Sequence, residues 1–101
     1  MNSANYQKFV NSHCKSYMDK NYLSVGLGEE AGECLGFHKK YVLKKNKNLK
    51  KGPLKKKDLA EELGDVLFYL VRLSKLYGWS LEDIMDYNVE KLEREEEEKN
   101  K

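Results

Sequence analysis

Two eleven-residue pieces of this chain are nearly the same. Residues 27–37 read LGEEAGECLGF and residues 59–69 read LAEELGDVLFY, an offset of 32 positions. Leu27/Leu59, Glu29/Glu61, Glu30/Glu62, Gly32/Gly64 and Leu35/Leu67 are identical, and Glu33/Asp65, Cys34/Val66 and Phe37/Tyr69 are alike in character. Both pieces space their apolar residues by three and four, the period of a helix. A chain of 101 residues that repeats such a piece is drawn toward one arrangement. Two equivalent antiparallel helices face each other about a local pseudo-twofold axis.

Helical geometry separates the acids. With Glu30 at 0° and about 100° per residue, Glu33 falls at about 300°, while Leu27, Cys34, His38, Ala31 and Leu35 span roughly 40–140°. Glu30 and Glu33 thus sit at one edge of an apolar stripe, and Glu29 points further outward. The second copy repeats the pattern. Glu62 and Asp65 flank a stripe of Leu59, Leu63, Val66, Leu67 and Leu70, with Glu61 outward like Glu29. Each helix offers an ExxE or ExxD pair at the rim of its buried face.

Pairing the helices gathers four carboxylates, which repel one another in a half-buried site. A divalent cation among them removes the penalty. An all-oxygen donor set suits Mg²⁺ or Mn²⁺ and disfavours Zn²⁺. The ExxH motif of ferritin-like di-iron sites is absent from the repeat. A single ExxE is most often a solvated surface pair. Two matched pairs on equivalent faces beside the core favour a metal site.

The remaining segments complete an all-α reading with about four helices. Ser3 caps a first helix whose stripe is Tyr6, Phe9, Val10, Cys14, Tyr17 and Met18. The second helix runs from about residue 24 to 43, and the third from about 56 to 77, stopped by Gly78. Ser80 caps a fourth, with acids in its first turn. Its inner face is Leu81, Ile84, Met85, Asn88, Val89 and Leu92. No stretch alternates with the period of a strand. The chain reads as a single domain over 1–101, with a lysine-rich loop at 39–57 and a charged, frayed tail at 95–101.

Charge is unevenly spread. The net charge is only +2, with 36% of residues charged, yet residues 39–57 hold ten lysines and the chain closes in EREEEEKNK. The lysine stretch has one aromatic, Tyr41, and no arginine, so stacking and bidentate base readout are poorly served. A solvated linker is preferred there over a nucleic-acid site, with attraction of a polyphosphate as a third reading. No apolar run is long enough to span a membrane, and no secretory signal is visible at the N-terminus. Cys14 and Cys34 fall on apolar helical positions and read as reduced thiols of a cytoplasmic protein. There is no Walker A motif. Gly32 and Gly64 interrupt good helices, which points to a neighbouring helix in close approach. A small core on a polar chain makes a second subunit a natural supplier.

GLGEEAGE, ELGDVLFYL and GWSLEDIMDYNVEKL together resemble the MazG-like all-α nucleoside triphosphate pyrophosphohydrolases. The family pattern is EExxE, a spacer, then ExxD, and the likeness covers roughly residues 20–94. The spacer between Glu33 and Glu62 stands at the long end for the family. The resemblance implies that Glu30, Glu33, Glu62 and Asp65 hold Mg²⁺, or Mn²⁺, and that Glu29 has at most a water-orienting role in catalysis. It also implies phosphate contacts from Lys39 or Lys40 and from Asn88, Lys91 and Arg94. For Lys91 and Arg94, pairing with Glu90, Glu95 or Glu98 on the helix surface is the competing reading. The implied reaction is attack of water on the α-phosphorus of a (d)NTP, giving monophosphate and pyrophosphate in nucleotide-pool house-cleaning. The implied assembly is a homodimer or homotetramer. His13, Tyr17 and Tyr69 are candidates to bind the base, although Tyr17, like Tyr6 and Trp79, is more often a core or interface aromatic, and His13 more often a satisfied helix-edge histidine. A phosphoribosyl-ATP pyrophosphohydrolase shares the size and acidic motifs, but GWSLED and NVEKL fit it less well. The non-enzymatic alternative is a metal-binding helical interaction module.

Overall fold

The computed structural model describes residues 1–38 and 56–100. It is all-α: α1 Ser3–His13, α2 Lys20–His38, α3 Lys56–Leu76 and α4 Leu81–Lys99, with no strand among the described residues. Lys39, Lys40 and most of the lysine-rich stretch lie outside the described residues.

The caps explain the element boundaries. Asn2, rather than Ser3, caps α1, its Oδ1 accepting from the Asn5 amide at 2.8 Å. Ser3 is the first helical residue, and its hydroxyl donates instead to the Glu82 carboxylate of α4. α1 also stops a turn earlier than its apolar spacing predicts. The Ser12 hydroxyl and His13 Nδ1 both bond the Phe9 carbonyl, and Cys14 is extended. Tyr17 and Met18 therefore belong to a turn, not to α1. Asp19 then opens α2 four residues before the expected start, its Oδ1 accepting from the Tyr22 amide at 2.8 Å. This is the N-cap chemistry of a short acceptor side chain.

The expected punctuation between α3 and α4 is present. Gly78 has φ +87°, its amide bonds the Lys75 carbonyl, and the Trp79 amide bonds Ser74. That is a Schellman-type ending. Ser80 and Asp83 then exchange side-chain and backbone bonds in a capping box. The acid-rich end, which composition assigns to a frayed tail, is helical as far as Lys99.

α2 and α3 form the principal contact and run antiparallel, and α3 also carries α1 and the start of α4. The antiparallel sense is read from their neighbours. Gly26 meets Tyr69, Glu30 meets Asp65, and Lys20 shares a cavity with Leu76. Among the described residues, the buried apolar side chains are Val10, Leu23 and Val71, one from each of three helices. Gln7 latches α1 to α4, accepting from the Leu81 amide at 2.9 Å and donating to Glu82 at 3.0 Å.

The face that α2 turns to α3 is rotated from the centre of the apolar stripes. Leu35, Leu63 and Leu67 are exposed, whereas Leu23 and Gly26 are buried and Leu27, Leu59, Val66 and Leu70 are half-buried. The carboxylates stand at the edge of the seam, Glu30 and Glu62 half-buried and Glu33 and Asp65 exposed. The glycine that matters within the chain is also a different one. A Cβ on Gly26 would lie 2.3 Å from the Tyr69 ring, while Gly32 and Gly64 have nothing within 4 Å.

Gly26→Ala is expected to weaken the α2–α3 seam by about 1–3 kcal/mol in urea unfolding, the usual cost of overpacking. Gly28→Ala, which meets nothing within 4 Å, is expected to stabilise by roughly 1 kcal/mol through helix propensity. The same sign for both would refute the notch.

Candidate metal centre

Glu30 on α2 and Glu62 and Asp65 on α3 each place a carboxylate oxygen within 4.8 Å of the other two. Glu30 and Glu62 stand 32 positions apart in the sequence. The antiparallel seam brings them together. Glu33, one turn beyond Glu30, is exposed and stands beside the group rather than within it. A hydrogen bond between its carboxyl and that of Glu62 is the leading cause that raises Glu62, ahead of desolvation. Glu30 is pushed up to about 7, first by desolvation, then by the charge of Glu33 and a hydrogen bond with it, then by Asp65 and Glu62. The charges acting on Glu30 are acidic.

The crowding leaves acceptors unused. Glu30 and Glu62 are half-buried, and the Oε2 of each is shielded from water without a hydrogen-bond partner among the described residues. A buried carboxylate oxygen with no donor is costly. Hard oxygen donors, unpartnered and mutually repelling, fit a hard divalent cation such as Mg²⁺ or Mn²⁺. The Cys34 thiol stands beside the group and is pushed up by burial and by the four acids. Tyr6 of α1 is raised by burial and by Asp65, which places α1 along the same edge.

Other predicted residues are only partly drawn in. Glu29 is exposed and lines a cavity of about 360 Å³ with Tyr22, Gly26 and Tyr69. Tyr69 is half-buried there, 6.5 Å from the Tyr22 ring, and Tyr17 meets Tyr22 edge-on at 5.5 Å. His13 is exposed and stacks on Phe9 at 3.9 Å, occupied with its own helix end rather than with this cavity. Asn88, Lys91 and Arg94 are not brought to the carboxylates. Every residue from Met85 to Asn100 is exposed, so α4 leaves the body after its first turn. Lys91 pairs with Glu95 at 3.4 Å, as the surface reading of that lysine holds. Lys39 and Lys40 lie outside the described residues.

Two residues escape the sequence reading. Tyr22 joins the aromatic cavity, signalled only by its place one helical turn before Gly26. Arg72 lies on the same face of α3 as Asp65, seven residues and so two turns on. A helical wheel drawn past the repeat would have found it.

The family model for the MazG nucleotide pyrophosphohydrolase domain matches residues 19–98. Over 75 residues the chain is 37% identical to Uncharacterized protein YvdC of Bacillus subtilis (strain 168), covering 70% of this chain and 71% of that protein. No solved structure gives a significant match. The chain belongs to the MazG nucleotide pyrophosphohydrolase family.

The raised Glu30 has a consequence for the metal-free protein. Its folded form holds a proton up to about pH 7, against an ordinary value of 4.5. A carboxyl raised on folding lends stability below the unfolded value and loses it as pH climbs through the folded one. The urea midpoint in EDTA is therefore expected to fall between about pH 4.5 and pH 7. Glu30→Gln is expected to flatten that slope, and an unchanged slope would count against the crowding.

Proposed function

We propose that the chain hydrolyses a (d)NTP between its α- and β-phosphates, releasing pyrophosphate and the monophosphate. The observation that supports this most is the seam of four carboxylates with two orphaned Oε2 atoms. Glu30, Glu33, Glu62 and Asp65 are the residues to hold Mg²⁺, with Mn²⁺ as a substitute. Bound there, the ion supplies the positive charge that lets an acidic site accept a polyphosphate. Glu29, exposed at the mouth of the neighbouring cavity, orients the attacking water. The water oxygen bonds to the α-phosphorus and gives up a proton to solvent, the bond to the bridging oxygen breaks, and pyrophosphate carries off the electron pair. Tyr69 and Tyr22 offer ring faces for the base, with Tyr17 behind them. On this reading the chain clears the nucleotide pool of the cytoplasm.

The same reading makes the working form a homo-oligomer. Leu35 is 66% exposed, Leu63 54%, Val89 54% and Leu92 53%, and such faces are normally covered. A second copy laid on them supplies what one chain lacks, namely the cations Lys91 and Arg94 and the Asn88 amide, near the phosphates. Gly32 and Gly64, open within the chain, leave room for its helices. The matched motifs are then related by a local twofold, and residues 1–101 act as one domain.

Purified protein incubated with canonical and modified (d)NTPs and Mg²⁺ is expected to form monophosphate and pyrophosphate, and to stop in EDTA. Glu33→Gln and Asp65→Asn are expected to lower kcat by about 10²-fold or more, the scale of losing charge-stabilising groups. Orthophosphate as product would move attack to the terminal phosphorus. Turnover of phosphoribosyl-ATP alone would select the related hydrolase, and metal binding without turnover the interaction module. In light-scattering measurements, Leu63→Glu is expected to lower the mass of the assembly, and a wild-type monomer would sink the oligomer.

A further inference from the structure

At the opposite end of the α2–α3 seam from the carboxylates lies a cavity of about 590 Å³. Lys15, Lys20 and Arg72 line it, together with Ser16 and Asn21. Its one carboxylate, Asp19, is engaged in capping α2 through the Tyr22 amide. No ion pair forms with any of the three cations among the described residues. Arg72 donates from Nη1 to Asn11 at 2.9 Å, but its Nε is shielded from water with no acceptor. Lys20 stands 4.2 Å over the Tyr77 ring, which steadies it without neutralising it. A buried guanidinium donor left without an acceptor marks a place where an anion or other acceptor belongs.

We infer that this cavity is an anion site, separate from the metal centre, that takes the phosphate group of a small molecule. Its donors surround the space from α2, α3 and the turn between α1 and α2, as a tetrahedral anion with several acceptor oxygens requires. The guanidinium suits paired phosphate oxygens, and the ammonium groups add unpaired charge. The volume exceeds that of a bare ion, and Met18 and Leu76 form apolar wall for an organic remainder. The carboxylate cluster lies about 10 Å away along α3, from seven residues at 1.5 Å each. Without metal, that cluster repels phosphate, so binding in EDTA reports on the cation cavity alone.

The test is calorimetric titration of inorganic phosphate, and separately of a nucleoside monophosphate, into the full chain in EDTA. Saturable binding that weakens with added salt is expected. Arg72→Gln is expected to weaken it roughly tenfold or more, the worth of a charged hydrogen bond. Lys20→Gln is expected to weaken it less, and Glu33→Gln to leave it intact. Tighter binding of the monophosphate assigns the site to phosphate esters, and equal binding to the free ion. Because Arg72 is half-buried, Lys15→Gln and Lys20→Gln, at exposed positions, carry the test if Arg72→Gln does not fold. No saturation at millimolar phosphate overturns the inference. So does wild-type affinity in the Arg72 and lysine variants, or a loss confined to Glu33→Gln. None of these outcomes depends on turnover of a nucleoside triphosphate.

Discussion

Carboxylates crowded along one helix seam set the terms for the rest of this molecule. A seam between two long antiparallel helices is ordinarily the place to bury Leu and Val. Here α2 and α3 give its edge to Glu30, Glu62 and Asp65, with Glu33 beside them, and one oxygen atom on each of Glu30 and Glu62 has no partner among the described residues. Such a site opposes folding unless protons or a cation fill it. Strain of this kind is kept where chemistry needs it and is offset elsewhere.

The offset is visible further along the same helices. Tyr69 lies against the bare backbone of Gly26, which lets α2 and α3 approach closely just beyond the acids. Val10, Leu23 and Val71 then anchor α1, α2 and α3. Ser74, buried beside them, satisfies its hydroxyl on the Leu70 carbonyl within its own helix. The seam thus grades from an acidic end, through an aromatic notch, to a basic end at Arg72. Anionic and cationic ends of one helix pair are held apart by that middle, which keeps Arg72 from simply neutralising the carboxylates.

The outer part of each apolar stripe is left uncovered: Leu35, Leu63 and Leu67 are exposed, while Leu27, Leu59, Val66 and Leu70 are half-buried. α4 repeats the pattern with Met85, Val89 and Leu92. It is fastened at its base by the Ser80 capping box and by Gln7, and beyond that turn its residues are exposed, with Tyr87 reaching back edge-on to Trp79.

The sequence by itself determined the helices, their stops at Gly78 and Ser80, and which acids belong together. These are local matters: capping chemistry, a positive φ that favours glycine, and a repeat whose period puts Glu30 with Glu33 and Glu62 with Asp65. It misjudged α1, because Ser12 and His13 bond the Phe9 carbonyl and end the helix while the apolar spacing continues. Only the tertiary structure decided the rest. The hydrophobic stripe predicted one buried face, but the facing of two helices depends on every pair across the seam, and the Gly26 notch for Tyr69 turned α2 and α3 onto their acidic edges. The same rotation set Arg72 over its cavity and left Asn88, Lys91 and Arg94 far along an exposed α4. A side chain's angle on its helix follows from 3.6 residues per turn. Which angle faces a neighbour follows from packing, and packing is a property of pairs that no single helix contains.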